Sequence, residues 1–314
     1  MDNNSKKPIA FILGPTASGK TELAIDICNS AACEIISVDS VMVYKDCNIG
    51  SAKPSEETLK QYPHHLVNVI EPSSIFSVSD FYKQSLQLID EIHSRNKLPL
   101  FVGGTMMYFN ILLNGLDLLP SRNDDYRLEL EEIRKHNGDQ YLYEMLRSID
   151  SEYASTLNQS DNKRVIRALE VHKLSGEKMS SLLGQVDKNS LIEKYHLKQF
   201  GVLDDDRSTL HKRIEKRLKK IINDGLVEEV KDILKKYHIE ENHPLRKSVN
   251  YNQAIAFINE EYDKDEFFNR ALFATRQLAK RQITWMRSWK NLDVFDTKSA
   301  SNIKEFIKSL TSSL

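Results

Sequence analysis

The stretch that most constrains this chain is an apolar run, Ile9 to Leu13, that breaks into Gly14-Pro15-Thr16-Ala17-Ser18-Gly19-Lys20-Thr21 and continues into Glu22-Leu23-Ala24-Ile25. An apolar run, then Gly-x-x-x-x-Gly-Lys-Thr, then a helical start predicts strand, phosphate-binding loop and helix in direct succession. The glycines let backbone N–H groups turn inward, and the helix N-terminus adds the positive end of its dipole. In such a loop Lys20 reaches the terminal phosphate oxygens and the Thr21 hydroxyl holds Mg²⁺. The chain is therefore expected to bind a di- or triphosphate. By itself the loop suggests a kinase or another ATP-binding protein.

The run Glu34 to Val38 is a second strand, ending in Asp39-Ser40. Strand, loop, helix, strand is a βαβ unit, and a parallel sheet binds ligands at the carboxyl ends of its strands. Asp39 sits at that edge, either facing the contents of the loop or capping a turn. Val41 to Pro54 reads as irregular, and Pro63 to Ile70 as a third strand. Ser77 to Asp80 caps a helix with Phe81, Ile89 and Ile92 on its buried side. Pro99 to Val102 is a central parallel strand. It ends in Gly103-Gly104-Thr105, which is open to two readings: a hydroxyl donor on permissive backbone, or a tight turn into the helix from Met106.

Strand signals then stop, and Arg122–His136, Gln140–Ser148 and Asp161–Leu174 show helical spacing. The sheet resumes at Gln199–Leu203, and Leu292, Val294 and Phe295 suit an edge strand. The expected fold is therefore α/β: a P-loop NTPase-like parallel sheet flanked by helices, residues 1–120 and 196–314, with a mostly helical insertion over 121–195.

The chain has 314 residues, 40% of them hydrophobic and 28% charged, with a net charge of −1, enough for a large core and a second unit. The near-zero balance conceals two basic runs, Arg207–Lys220 and Thr275–Lys290, the second interleaved with Trp285 and Trp289. Each is either a phosphate-contacting face or a solvated helix face. In the first run Arg213 and Arg217 stand at i, i+4, where both can address one anion. Three cysteines, none in a Cys-x-x-Cys pair, argue against a zinc site or a disulfide scaffold. Without a signal-peptide pattern or a long apolar run, a cytoplasmic location and no membrane association are expected. A phosphoryl-transfer enzyme would usually carry a carboxylate at the end of an apolar strand. Here Pro99–Val102 ends in Gly-Gly-Thr, so Asp39 is the one strand-end acid.

In order along nearly the whole chain, GPTASGKT, SVDSVMVYKDCNIGSAKP, PHHLVNV, PLFVGGTMMYF, DNKRVIRALEV, LHKRIEKRLKKIINDGLVEEV and TRQLAKRQITWMRSW resemble the tRNA dimethylallyltransferase (tRNA isopentenyltransferase) family. The resemblance implies transfer of a dimethylallyl group from dimethylallyl diphosphate to N6 of adenosine 37, in tRNAs reading codons that begin with U. It implies Asp39 as the base, Thr105 at the reacting end, and Arg217, with Arg213 beside it, on the diphosphate. It implies contacts to the tRNA anticodon stem-loop from Asp39, Ser40, Val41 and Met42; from Lys163, Arg164, Val165, Ile166 and Arg167; and from Lys247 to Asn252. Thr105 and Arg127 belong to the same implied interface, and the basic run adds Lys280 and Arg281. A monomer of bacterial type, lacking the zinc finger of eukaryotic members, is expected. The chain departs from the family at Met42 and Lys163, and at Val249-Asn250-Tyr251-Asn252-Gln253, where many members have Val-Gly-Tyr-Arg-Gln. Two alternatives stay open: an enzyme alkylating free adenylate, and an RNA-binding P-loop NTPase.

Overall fold

The computed structural model describes residues 6–185, 191–204, 206–296, 299 and 301–311. Among them, six strands form one sheet: β1 (Pro8–Leu13), β2 (Cys33–Val38), β3 (His64–His65), β4 (Leu98–Gly103), β5 (His196–Val202) and β6 (Asp293–Phe295). Their order is β3-β2-β4-β1-β5-β6, and every neighbouring pair is parallel. β1 and β4 are buried throughout, as unbroken apolar strands at the centre of a parallel sheet must be.

Alternation along β1 divides the core. Ala10 and Ile12 face the helix Lys20–Cys28 and, through Ile303 and Ile307, the helix Ser301–Thr311. Phe11 faces the other way, its ring centroid 5.2 Å from that of Phe101 and 5.1 Å from that of Phe109. The helix Val78–Ser94 begins with the capping box read from the sequence, Ser77 and Asp80 exchanging hydrogen bonds.

The third strand differs from its expected span. Of that stretch, His64 and His65 alone pair with β2, opposite Ile35 and Ile36. Leu66 and Asn68 take positive φ angles, 62° and 58°, which end the extended backbone before the apolar residues that suggested a strand.

The chain divides into two compact units, residues 1–113 with 191–314, and residues 114–190. Leu118 N–H donates to Gln185 O, Gly184 N–H donates to the Asp117 carboxylate, and Leu119 packs on the second core. These contacts set the start of the second unit a few residues before position 121. That unit is helical, with Asp124–Asn137, Asp139–Ile149 and Asn162–Ser175 enclosing Leu130, Leu142, Leu146, Val165 and Leu169.

Candidate active site

Register brings the functional loops together. Val38 pairs with Gly103, and Gly103 with Leu13, so β2, β4 and β1 end at one level. The segments beyond those ends carry Asp39, Gly104-Thr105 and the phosphate-binding loop. Close approach needs glycine here: a Cβ on Gly103 would lie 2.1 Å from Val38 O.

A cavity of about 340 Å³ opens at this edge. Thr16, Ala17, Lys20 and Thr21 line it from the loop, and Asp39, Ser40, Val41 and Met42 from the segment after β2. Gly103 and Gly104, Arg217, Lys247 and Arg281 complete much of the wall. A second cavity, about 1450 Å³, shares Ala17, Lys20, Thr21 and Arg217 with the first and adds Ser18, Gly19, Arg213 and Lys216. Gly14 and Pro15 lie behind the loop, Gly14 N–H donating to Gly103 O. Thr105 follows Gly104, which lines the first cavity, but lines neither cavity itself; its N–H donates to Val38 O.

The electrostatics of the cavity are lopsided. Lys20 Nζ donates to Pro15 O at 2.7 Å and has no ion-pair partner among the described residues. Burial, then the neighbouring Arg217 charge, push its ammonium down to about 7, against the opposing pull of Asp39 and Glu22. Arg217 is also held below its usual value, chiefly by burial, and makes no ion pair with a described residue. Two partly buried basic groups face one space, and Asp39 is the one acid among the residues that line the first cavity. Asp39 sets one carboxylate against the two cations, and its Oδ1 is held by the backbone, accepting Val41 N–H at 2.8 Å and Met42 N–H at 3.1 Å. Its Oδ2 accepts no hydrogen bond from a described residue. Arg213 is committed elsewhere, with Nη1 2.6 Å from Asp204 Oδ2.

Three residues hold this edge together: Gln282 and Glu229, which no sequence motif singled out, and Asn250, which the sequence placed in the implied RNA interface. Gln282 accepts Thr16 N–H and donates to Gly104 O, each at 2.9 Å. Glu229 accepts the backbone N–H groups of Asn48, Ile49 and Gly50 and the Tyr251 hydroxyl, all within 2.9 Å. Asn250 donates to Gly50 O at 2.8 Å, with φ at +73°. That angle explains why a glycine suits the position, and Asn tolerates it better than most side chains. Gln282 and Glu229 carry no local signal, because apart from Tyr251 their partners at this edge are more than 170 residues away, whereas Asn250 also caps the helix Tyr251–Ile258, its N–H donating to Gln253 Oε1 at 2.9 Å.

The remaining predicted residues divide by burial. On the helix Lys264–Arg287, Lys280 and Arg281 are exposed. Lys247 and Asn252 are exposed as well, donating to Asn242 Oδ1 and Arg246 O. Within the helical unit, Lys163 and Arg164 face solvent, and Arg164 pairs with Asp161. Val165 and Ile166 are buried in the core of that unit, so their side chains pack inward. Arg127 grips Glu170 with two hydrogen bonds at 2.8 and 2.7 Å, and Arg167 reaches the same carboxylate at 2.6 Å.

The donor set suits a hard cation carried in with an anion. Among the described residues no group of three or more His, Cys, Asp or Glu side chains converges on a metal-sized site. Mg²⁺ characteristically takes one or two protein oxygens and fills the rest of its shell with phosphate oxygens and water. Thr21, which lines both cavities, offers an oxygen of that kind.

The family model described as IPP transferase matches residues 42–289. The tRNA dimethylallyltransferase of Acinetobacter baumannii strain ACICU is 41% identical over 315 aligned residues, covering 99% of each chain. Among solved structures, the full-length tRNA isopentenylpyrophosphate transferase of Bacillus halodurans superposes with a TM-score of 0.70 at 32% identity, covering 98% of this chain and 97% of that one. The tRNA delta(2)-isopentenylpyrophosphate transferase of Staphylococcus epidermidis gives 0.68 at 29% identity, covering 98% and 99%.

Proposed function

This chain belongs to the IPP transferase family, and on that premise we propose that it transfers a dimethylallyl group from dimethylallyl diphosphate to N6 of adenosine 37 of tRNA, releasing diphosphate. The observation that carries this reading is the pair of partly buried cations, Lys20 and Arg217, sharing a cavity with a carboxylate that has one oxygen uncommitted.

In the reaction the allylic C1–O bond breaks, the electron pair leaves with the diphosphate, and a C–N bond forms to the adenine amine. Negative charge grows on the leaving oxygens, where inward N–H groups of the loop, Lys20 and Arg217 meet it. Preorganised donors of this kind act where charge develops, in a space partly closed to water. Mg²⁺ bound beside Thr21 would supply further charge neutralisation of the diphosphate. The exocyclic amine is a weak nucleophile that must lose a proton, and Asp39 takes it. Two backbone N–H groups hold Oδ1, which directs Oδ2 to the incoming base. Thr105, next in the chain to Gly104 of the cavity wall, donates its hydroxyl near the bridging oxygen. The base leaves the anticodon-loop stack to reach the pocket, as enzymes that modify bases require. Exposed Lys247, Lys280 and Arg281 meet the RNA phosphates.

Incubation with labelled dimethylallyl diphosphate and either tRNA or AMP tests the reading. Label in tRNA alone is expected. Label in AMP would reassign the enzyme to free nucleotide, and ATP turnover without alkylation would return it to the NTPases.

A further inference from the structure

Gln282 is the polar member of an otherwise apolar face. On the helix Lys264–Arg287 it stands between Ala279 and Met286, which are 2% and 4% exposed, and it is itself 8% exposed. A buried amide at such a position is costly unless both its ends are satisfied. Here Oε1 accepts the Thr16 N–H and Nε2 donates to Gly104 O, both at 2.9 Å. One side chain thereby ties the phosphate-binding loop to the Gly-Gly-Thr loop from a helix that belongs to neither. The second glycine of that loop reflects the same contact: a Cβ on Gly104 would lie 2.4 Å from Gln282 Nε2.

We propose that Gln282 is a positioning residue that sets the spacing between the phosphate cradle and the Thr105 hydroxyl; its part in catalysis rests on the prenyl-transfer reading of the cavity. The partners dictate the residue type. A backbone N–H needs an acceptor and a backbone carbonyl needs a donor, and a carboxamide supplies both on one planar group. Anionic Glu would present a second acceptor to Gly104 O, and Met would present neither. Bond breaking and proton removal occur on opposite sides of C1, so a small change in this spacing lowers the rate more than it weakens donor binding.

Hydrogen–deuterium exchange on the full-length protein reads the clamp directly, without reference to activity. In Gln282→Met, peptides covering 14–20 and 103–108 are expected to exchange roughly tenfold faster than wild type, with the flanking β1 unchanged. In Gln282→Glu the excess over wild type should shrink as pH is lowered from about 8 to about 5, because the protonated acid regains a donor. Single-turnover transfer to tRNA should fall at least roughly tenfold in Gln282→Met, while half-saturation by donor stays within about threefold. Exchange in both loops within about twofold of wild type would overturn the proposal, as would a Gln282→Glu excess that ignores pH. If Gln282→Met does not fold, the pH response of Gln282→Glu decides alone. Intact clamp behaviour with no transfer by the wild-type protein supports the clamp and sinks the transfer reading.

Discussion

Two pairs of basic residues show opposite electrostatic designs. In the helical unit Arg127 and Arg167 close on Glu170, whose side chain is fully buried while theirs are 27% and 25% exposed. Hydrogen bonds from both arginines and from Asn123 N–H outweigh burial and hold that carboxyl below its ordinary range. In the sheet unit Lys20 and Arg217 have no such acid, and burial drags both below their usual values. The first pair is a finished network that stabilises helix packing. The second has no ion-pair partner among the described residues, and in the proposed reaction the diphosphate supplies its counter-charge. What separates the two pairs is thus an internal ion-pair partner, since the residue types are nearly the same.

The sharpest test exchanges the acids. Removing Asp39 or the Thr105 hydroxyl is expected to slow single-turnover transfer by about 10²–10³-fold, with tRNA affinity nearly unchanged. Near-wild-type rates for Asp39→Ala and Thr105→Ala would remove both from the reaction. Glu170→Ala should do the reverse, costing roughly 3 kcal/mol of stability because two partly buried guanidiniums lose their partner. Denaturant melts measure this, and a wild-type midpoint would break the comparison. The contribution of Glu170 has a definite pH sign: its folded value is depressed, so its stabilisation is present above the unfolded value of about 4.3 and fades as pH falls through the lower folded one.

A subtler contrast concerns the unpaired cations. Arg217→Met should weaken inorganic pyrophosphate binding by roughly 10–100-fold in calorimetry, yet raise the melting temperature of the anion-free protein. A lower melting temperature would mean that Arg217 has an internal partner after all. Lys20 gives a proton signal. With its folded value near 7 and an ordinary value of 10.5, the anion-free protein under-binds a proton between those limits, so its stability rises with pH across that window. An anion reverses the shift, and pyrophosphate binding near pH 8 should take up as much as about one proton, an uptake absent in Lys20→Met. Equal uptake in both proteins would mean that Lys20 is already charged. The smallest effect is ionic: neutralising Lys280 or Arg281 should reduce the salt slope of tRNA binding by about one unit each. An unchanged slope would make that stretch a solvated helix face.

Much of this was legible in the linear chain, for a reason the residues make plain. The phosphate-binding loop, the capping box at Ser77 and the apolar run before Gly103 are local patterns, in which a few neighbouring residues dictate backbone geometry. That Asp39 and Thr105 follow strand ends at one edge was legible, because a parallel sheet delivers strand ends to one side; their roles came only from the family resemblance. The third strand shrank to two residues because apolar content says nothing about the positive φ angles at Leu66 and Asn68.

Composition and spacing determined that this protein has a parallel sheet, a phosphate cradle at its edge and a helical insertion, because those follow from interactions a few residues long. Tertiary structure alone decided which cations are left unpaired, and which distant side chains, Gln282 and Glu229 among them, hold the loops in place. Loop spacing is set by groups hundreds of residues apart, and nothing in the sequence shows that Arg167 finds an acid to pair with while Arg217 finds none among the described residues.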